Sequence, residues 1–441
     1  MDRVLIAGTH SGCGKTTVTT ALLCALRARK ATVNAFKCGP DYIDPMFHRE
    51  AIGIPSQNLD PYFSTGAQLR AQLSGPGLAV IEGVMGYYDG IGTEGLASTW
   101  QAAAETETPA VLVIDPRGMY TSAGAVLKGF LTFRRESGLR GVIFNNTPPE
   151  MYPGLRRIAE DAGIKAFGFL PRDGRISVGS RHLGLITAGE LSNLKEKLNV
   201  LGALAEEHLD IDGLLTLAAE APALSMSSPH PAFGCRVRIA VAQDEAFCFM
   251  YEENLSLLRA MGAEIVPFSP LRDGGLPEKI GGLWLPGGYP ELYLDTLSAN
   301  VIMCRAVQAA VESGLPTIAE CGGFLYLHDM LDGIPMAGVF HARAYRMEKL
   351  RRFGYTELRA GHDNLLCRTG ESIRAHEFHY YDSEDCGDDF TAEKPGGGRS
   401  WPCVHATETL YAGFPHLYFP ANPAFAENFL RKACDYDRIH N

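Results

Sequence analysis

A glycine-rich segment with one lysine and two threonines stands near the start of the sequence. Residues 8–17 read GTHSGCGKTT and directly follow the apolar run 4–6. In that position glycine amides close around phosphates, Lys15 reaches the β- and γ-phosphate oxygens, and the Thr16 hydroxyl binds Mg²⁺. The first and last glycines stand one residue further apart than in the standard motif, and a tight strand-to-helix turn is the alternative. The predicted ATP-binding residues are Gly12, Gly14, Lys15, Thr16 and Thr17.

Three carboxylates follow predicted strands in the same half of the chain. Asp41 and Asp44 lie in the segment 37–45 (KCGPDYIDP), and Glu82 follows the apolar run 79–81. Mg²⁺ prefers oxygen ligands, and open parallel sheets bind ligands at the carboxyl ends of their strands. Asp41 and Glu82 are therefore candidates to share Mg²⁺, and the clustering of Lys37, Asp41 and Asp44 beside the glycine-rich segment favours this interpretation. The alternative for an aspartate in a Gly/Pro loop is a turn former that bonds its own backbone.

A second group of residues suits nucleophilic catalysis. Cys321 stands in the sequence AECGGF after a predicted strand, where a strand-to-helix turn exposes a nucleophile and a helix N-terminus lowers the pKa of a thiol. The amides of Gly287 and Gly288 follow another apolar run and are placed to hold an oxyanion. The distant His416 is the candidate base. The alternative is a buried apolar cysteine beside an ordinary histidine.

The elements that must position these residues alternate between short apolar runs and amphipathic stretches. This pattern indicates parallel strands covered by helices on both faces. The predicted strands are 4–6, 33–36, 79–81, 110–114, 141–144, 237–242, 265–266, 283–285 and 317–319, with a helix from about 15 to 29. The predicted fold class is α/β, with two doubly wound domains. We predict an ATP-binding domain over 1–218, a Pro/Ser/Ala-rich linker over 219–233 and a second domain over 234–441.

Composition excludes several classes of protein. The 441 residues carry 40 Lys and Arg against 51 Asp and Glu, a net charge of −11, so nucleic acid is disfavoured as a partner unless a local basic patch exists. No stretch reaches the roughly 18 apolar residues of a membrane-spanning helix, and the N-terminus leads into the glycine-rich segment rather than a signal-cleavage region. We expect a cytoplasmic protein whose 11 scattered cysteines are reduced thiols.

Four segments carry a family resemblance. They are 37–45 (KCGPDYIDP), 180–185 (SRHLGL), 285–293 (LPGGYPELY) and 376–380 (HEFHY). With the phosphate-binding segment first and the cysteine turn second, the whole chain resembles the cobyrinate a,c-diamide synthases, a family of corrinoid glutamine amidotransferases. The resemblance implies a dethiobiotin-synthetase-like P-loop NTPase domain fused to a class I glutamine amidotransferase-like domain. It implies a carbon–nitrogen ligase that uses ATP, Mg²⁺ and L-glutamine to amidate the a and c acetates of a corrin in cobalamin biosynthesis.

The resemblance also assigns roles. Cys321 is the implied glutaminase nucleophile and His416 its base, but Tyr418 stands where ordinary class I enzymes have a glutamate, so the sequence does not say what orients His416. Asp44, on the substrate side, is expected to orient the substrate carboxylate or its acyl phosphate. Asn145 resembles an adenine-reading asparagine, with a turn-forming residue as the alternative.

Two further pairs are weaker candidates. His376 and His379, two histidines without further ligands, are more often structural than metal-binding, and the resemblance implies that they shape the site. Arg181 and His182 are expected to meet substrate carboxylates, with solvated loop charges as the alternative.

Alternatives to this function stay open at the level of the sequence. A partitioning ATPase that binds DNA or lipid is one, although His10 stands where those proteins carry a signature lysine. A regulatory protein with a degenerate cysteine domain is another. Within the enzyme class, hydrogenobyrinate and nickel-sirohydrochlorin are alternative tetrapyrrole substrates, and a homodimer is an open option.

Overall fold

The computed structural model of the chain describes residues 1–174, 188–224 and 234–440. It divides into two compact units, Met1–Ser228 and Pro229–Asn441. The predicted motif 180–185, with Arg181 and His182, lies outside the described residues, as does most of the predicted linker 219–233.

The first unit is built on a seven-stranded sheet in which all neighbouring strands run parallel. Its strands are β1 (Asp2–Gly8), β2 (Val33–Cys38), β3 (Ser56–Leu59), β4 (Leu78–Glu82), β5 (Ala110–Ile114), β6 (Leu139–Phe144) and β7 (Lys165–Phe169). Their order across the sheet is β3-β2-β4-β1-β5-β6-β7. The five strands predicted here are confirmed. Strands β3 and β7 were missed because β3 is polar (SQNL) and β7 is a short run interrupted by glycine (KAFGF).

Helices cover both faces of this sheet. They are α1 (Lys15–Ala28), α2 (Ile43–Phe47), α3 (Gly66–Gln72), α4 (Thr99–Glu105), α5 (Ser122–Thr132), α6 (Tyr152–Ala162), α7 (Ala188–His208) and α8 (Ile211–Ala219). Side chains of β1 alternate between two buried clusters, with Val4 and Ile6 on the face covered by α1 and Leu5 on the face covered by α5 and α6. Burial on both faces explains why the strands read as continuous apolar runs.

The second unit contains three sheets. Its strands are β8 (Val237–Ala242), β9 (Ala263–Phe268), β10 (Gly282–Leu285), β11 (Thr317–Glu320), β12 (His328–Leu331), β13 (Ile334–Pro335), β14 (Phe340–Arg346), β15 (Gly354–Ala360), β16 (Ser372–Glu377), β17 (Tyr381–Ser383), β18 (Phe390–Glu393), β19 (Ser400–Cys403), β20 (His405–Ala406), β21 (Leu410–Gly413) and β22 (His416–Leu417). The main sheet has the order β20-β21-β11-β10-β8-β9 and is parallel except at β20.

The helices of this unit are α9 (Glu252–Ala260), α10 (Leu294–Ala299), α11 (Val301–Glu312), α12 (Gly322–Tyr326) and α13 (Pro423–His440). The four predicted strands of the main sheet are confirmed. Two smaller sheets were not predicted, one with the order β13-β12-β14-β17 and one, fully antiparallel, with the order β19-β18-β15-β16-β22. Their strands carry many charged and polar residues and lack the apolar runs that identified the main sheet.

The expectation that every cysteine is a free thiol is wrong for one pair. Cys235 and Cys434 form a disulfide across 199 residues of sequence, while the other nine cysteines are free. Helix α13 packs against β8 and brings the two Cα atoms to 6.6 Å, a closeness that sequence spacing cannot reveal. In the described part of the chain, no helix has the length and apolar character needed to cross a membrane.

Candidate functional site

The glycine-rich segment forms a loop between β1 and α1. Gly14 caps α1 in the left-handed region, with φ of 98°, which glycine adopts without strain. The Lys15 ammonium group donates to the carbonyl of His10 at 3.2 Å and to the carbonyl of Met85. The Lys15 side chain therefore lies across the concave side of the loop. A bound phosphate would replace these two carbonyls as the acceptor of the Lys15 ammonium group.

Asn145 supports this loop from behind. Its side-chain amide donates to the carbonyl of Cys13 at 3.1 Å, and a side chain at Gly14 would overlap the Asn145 amide. The sequence did not predict this contact, because β6, which ends just before Asn145, is distant from the loop in sequence. A role in reading adenine stays a prediction.

A buried cluster of charges lies beside the loop. The Thr16 hydroxyl donates to Glu82 Oε1 at 2.5 Å, and Lys37 Nζ lies 2.8 Å from the same oxygen. Lys37 Nζ also lies 2.7 Å from Asp44 Oδ2. The fold explains this arrangement because β4 lies between β1 and β2, so that the carboxyl ends of the three strands meet.

One ammonium group here faces two buried carboxylates. Burial alone would lower the pKa of Lys37, but Glu82 and Asp44 outweigh it and raise that pKa. Burial raises the pKa of Glu82, with Lys37 opposing and Asp44 adding to the rise. Burial lowers the pKa of Lys15.

The residues fit a magnesium ion only in part. Thr16 and Glu82 offer hard oxygen ligands, and Glu82 Oε2 is buried without a hydrogen-bond partner in the described chain, 3.7 Å from His48 Nε2. Among the described residues no three His, Cys, Asp or Glu side chains are arranged to hold a metal ion. Phosphate oxygens would therefore have to complete the coordination shell.

Asp41 has the contacts of a turn former. Its Oδ1 accepts hydrogen bonds from the backbone N–H of Ile43 at 2.8 Å and of Asp44 at 3.4 Å, at the start of α2. The Asn58 side chain fixes the same loop by donating to the carbonyl of Asp41 at 2.7 Å. The structure therefore brings Asp44, rather than Asp41, into direct contact with Lys37. A metal-binding role for Asp41 stays a prediction.

In the second unit, Cys321 stands on a sharp turn between β11 and α12. Its backbone has φ of 46°, a conformation that a non-glycine residue adopts only when the surrounding structure holds it. Side chains at Gly322 or Gly323 would collide with Pro290 and with the end of β10. Glycine at both positions lets the turn approach β10, as in a nucleophile elbow.

The pKa of Cys321 departs from the prediction. Burial raises it, and the carboxylates of Glu291 and Glu377 add to the rise. The Gly322 N–H, at the start of α12, does lower the pKa of Cys321, but burial outweighs this effect, so the predicted net lowering is wrong. The thiol is therefore protonated without substrate and needs a base to activate it.

His416 lies on β22, which pairs with β16 so that His416 stands opposite His376. Burial lowers the pKa of His416 to about 3, with His376 and His379 adding to the effect. The imidazole is therefore neutral near pH 7, the form in which it can accept a proton from a thiol.

Glycines bring this base to the elbow. A side chain at Gly287 would overlap the His416 ring, and one at Gly322 would stand 2.9 Å from the Gly288 nitrogen. The backbone N–H of Cys321 donates to the carbonyl of Gly413 at 2.8 Å. Gly287 and Gly288 thus lie beside the His416 ring and beside the residue that follows Cys321, while the catalytic roles of these residues stay a prediction.

His379 is held in place firmly. Its Nδ1 contacts the carbonyl of Tyr381 at 2.5 Å, its Nε2 contacts Glu377 Oε2 at 3.2 Å, and its ring stacks on Phe414 at 3.9 Å. These contacts give the ring a structural position beside the His416 segment.

A phosphate-binding loop in one unit and a cysteine–histidine pair in the other define a glutamine-dependent ligase. Comparison of the sequence with protein families agrees with that class. Residues 4–185 match the family described as CobQ/CobB/MinD/ParA nucleotide binding domain. Residues 238–423 match the CobB/CobQ-like glutamine amidotransferase domain.

Relatives extend the match to the whole chain. A cobyrinate a,c-diamide synthase of Caldanaerobacter subterraneus is 37% identical over 98% of this chain and 99% of the relative. A hydrogenobyrinate a,c-diamide synthase of Streptomyces coelicolor is 37% identical over 98% and 97%. A cobyrinate a,c-diamide synthase of Methanothermobacter thermautotrophicus is 36% identical over 98% and 100%. The chain belongs to the cobyrinate a,c-diamide synthase family.

Proposed function

We propose that this protein amidates the a and c acetate carboxylates of cobyrinate, using ATP and L-glutamine. One observation carries the proposal. The chain is similar over its whole length to cobyrinate a,c-diamide synthases, and it contains both of the sites that such a reaction needs. The first is the Lys15 loop with its Thr16–Glu82 contact, and the second is the Cys321 elbow with His416.

The first site activates the carboxylate. A carboxylate does not react with ammonia in water because oxide is a poor leaving group. Its oxygen therefore attacks the γ-phosphorus of ATP, ADP leaves, and an acyl phosphate forms, which ammonia converts to the amide with loss of phosphate. Lys15 and the loop amides hold the phosphates. Mg²⁺, when bound by Thr16 and Glu82, neutralises phosphate charge.

Asp44 is proposed to orient the substrate carboxylate from the segment after β2. The ammonium group of Lys37 contacts both Asp44, on the proposed substrate side, and Glu82, on the phosphate side. Lys37 therefore fixes the position of these two carboxylates relative to each other. Asp41 shapes the turn that places Asp44.

The second site supplies ammonia. His416 takes the proton of the Cys321 thiol, and the thiolate attacks the carboxamide carbon of glutamine. The amides of Gly288 and a neighbouring residue hold the oxyanion, and His416 returns the proton to the departing ammonia. His416 then activates water, which hydrolyses the thioester to glutamate and frees Cys321.

The choice of tetrapyrrole is the finer part of the proposal. The Streptomyces relative carries the name of a hydrogenobyrinate a,c-diamide synthase, and its identity to this chain, 37%, equals that of the Caldanaerobacter relative. Assays with cobyrinate, hydrogenobyrinate and nickel-sirohydrochlorin, each with ATP, Mg²⁺ and glutamine, test it by chromatography of the mono- and diamides. Diamide from cobyrinate at the highest kcat/KM is expected. A higher kcat/KM with either alternative would reassign the substrate.

The partners, cellular location and oligomeric state of the protein belong to the same proposal. Glutamine, ATP and a polyanionic tetrapyrrole are expected partners in the cytoplasm, and the acidic charge of the chain disfavours nucleic acid. A homodimer is tested by sedimentation of the full chain.

A further inference from the structure

One buried carboxylate links the two catalytic segments of the second unit. Glu320 is the last residue of β11 and immediately precedes Cys321. Its Oε1 accepts a hydrogen bond from the backbone N–H of Leu417 at 2.8 Å, and Leu417 immediately follows His416. Its Oε2 accepts from the indole N–H of Trp284 at 3.3 Å. A single side chain thus joins the neighbour of the nucleophile to the neighbour of the base.

The segment that carries His416 is also held by the pairing of β22 with β16 and by Asn254. Asn254 donates to the carbonyl of Leu417 at 2.8 Å and accepts from the N–H of Phe419 at 2.8 Å. The residue two positions after His416 is Tyr418, whose ring packs edge-to-face on Tyr251 at 5.3 Å and carries no carboxylate. The carboxyl group that contacts this segment comes instead from Glu320, at the end of β11.

We propose that Glu320 is the positioning residue that fixes His416 against the Cys321 elbow, through the backbone of Leu417 rather than through the imidazole. The inference rests on the proposed roles of Cys321 and His416 as the glutaminase pair. Two adjacent residues make the contacts to this segment. The backbone N–H of Cys321 donates a hydrogen bond to the carbonyl of Gly413, and the side chain of Glu320 accepts one from the N–H of Leu417. The segment that carries His416 is therefore held at Gly413, before the histidine, and at Leu417, after it.

A purely structural reading makes a different prediction. Both side-chain oxygens of Glu320 act as hydrogen-bond acceptors. A structural carboxylate would lower stability when replaced but leave the catalytic step of the folded enzyme intact. A positioning residue lowers kcat for glutaminase, because a displacement of about 1 Å in a catalytic group costs about 100-fold in rate.

The test uses Glu320→Gln in the full-length protein. Glutamine has the same shape as glutamate, but only one of its two terminal groups, the carbonyl oxygen, can accept a hydrogen bond. The variant side chain can therefore accept from Leu417 or from Trp284 but not from both, and its NH₂ group is placed against the remaining N–H donor. We expect glutaminase kcat to fall about 100-fold with KM for glutamine within about twofold of wild type. Amidation supported by ammonium salt should stay at the wild-type rate, which excludes global unfolding.

A second variant provides the rescue. Trp284→Phe removes the indole N–H donor and is the matched control for packing. In the double variant Trp284→Phe/Glu320→Gln no indole N–H faces the glutamine NH₂ group, and the glutamine oxygen can still accept from the Leu417 N–H. We expect Trp284→Phe alone to stay within about threefold of wild-type kcat, and the double variant to regain at least about tenfold over Glu320→Gln. The double variant also keeps the test decisive if Glu320→Gln alone does not fold.

A readout independent of turnover separates this inference from the proposed function. The rate of alkylation of Cys321 by iodoacetamide, followed by mass spectrometry, reports the activation of the thiol by His416. We expect Glu320→Gln to slow alkylation as much as His416→Ala does. Unchanged kcat and unchanged alkylation in Glu320→Gln, or a rise in KM alone, would overturn the inference. Absence of glutaminase activity in the wild type would instead overturn the proposed function.

Discussion

Lys37 and Glu82 are direct register partners on the neighbouring parallel strands β2 and β4, and their side chains meet at 2.8 Å where those strands end. The same oxygen of Glu82 accepts the Thr16 hydroxyl at the start of α1. Strand order therefore connects the phosphate-binding loop to the segment that carries Asp44. This relationship makes Glu82 the central carboxylate of the first site.

Replacing Glu82 should impair use of Mg²⁺ and ATP. Glu82→Gln keeps the shape but removes the charge, and we expect a loss of about 2–4 kcal/mol in transition-state stabilisation, the scale of one well-placed electrostatic group. Asp41→Asn should lose less, because an amide oxygen can still accept from the Ile43 N–H. Calorimetry of Mg²⁺-ATP binding and the rate of amidation measure both. An equal loss in the two variants would make Asp41 a metal ligand of equal weight.

Asp44→Asn should affect the substrate rather than the nucleotide. Lys37 retains Glu82 as a partner in this variant, so the phosphate side of the site keeps its geometry. We expect near-normal ATP affinity with slower amidation or release of the half-amidated intermediate. Chromatographic counting of mono- and diamide products checks this. Loss of Mg²⁺-ATP binding as large as in Glu82→Gln would place Asp44 in the metal site instead.

Acid should destabilise the second unit through two buried histidines. Burial lowers the pKa of both His376 and His416 to about 3, from 6.5 in the unfolded chain. Below pH 6.5 the unfolded chain binds protons that the folded chain does not. Each histidine therefore costs about 1.4 kcal/mol of stability per pH unit as the pH falls from 6.5 towards 3.

Urea unfolding of the full chain between pH 7 and pH 5 measures this dependence. Replacing His376 with Gln removes one of the two titrating groups, so the slope of the variant should be shallower than that of the wild type by about 1 kcal/mol per pH unit on average over this range. Identical slopes would show that His376 is protonated in the folded protein.

Much of the fold and of the site could be predicted from the sequence, because the signals are local. The apolar runs of β1 and β4 identified central strands, and the Gly-Lys-Thr-Thr run after an apolar stretch predicted the turn from β1 into α1. The strand-to-helix turn at Cys321 could be predicted from its position between a strand and two glycines, whereas its role as nucleophile stays a prediction. In each case the chemistry depends on residues close together in the chain.

The remaining features depend on residues that only the fold brings together. Asn145 contacts the loop from 132 residues away, and Glu320 contacts Leu417 from 97 residues away. Glu320 does carry one local signal, a charged residue at the end of an apolar strand directly before the candidate nucleophile. The pKa of Cys321 was predicted in the wrong direction because burial cannot be read from a cysteine beside glycines.

The central claim is that ammonia made at Cys321 serves the ATP-dependent site of the same protein. The most direct measurement compares amidation of cobyrinate by Cys321→Ala with glutamine and with a high concentration of ammonium salt, using Lys15→Ala as the matched control. We predict that Cys321→Ala makes the amide only from ammonium, and that Lys15→Ala makes none from either donor while still hydrolysing glutamine. Glutamine-supported amidation by Cys321→Ala, or amide formation by Lys15→Ala, would contradict the claim.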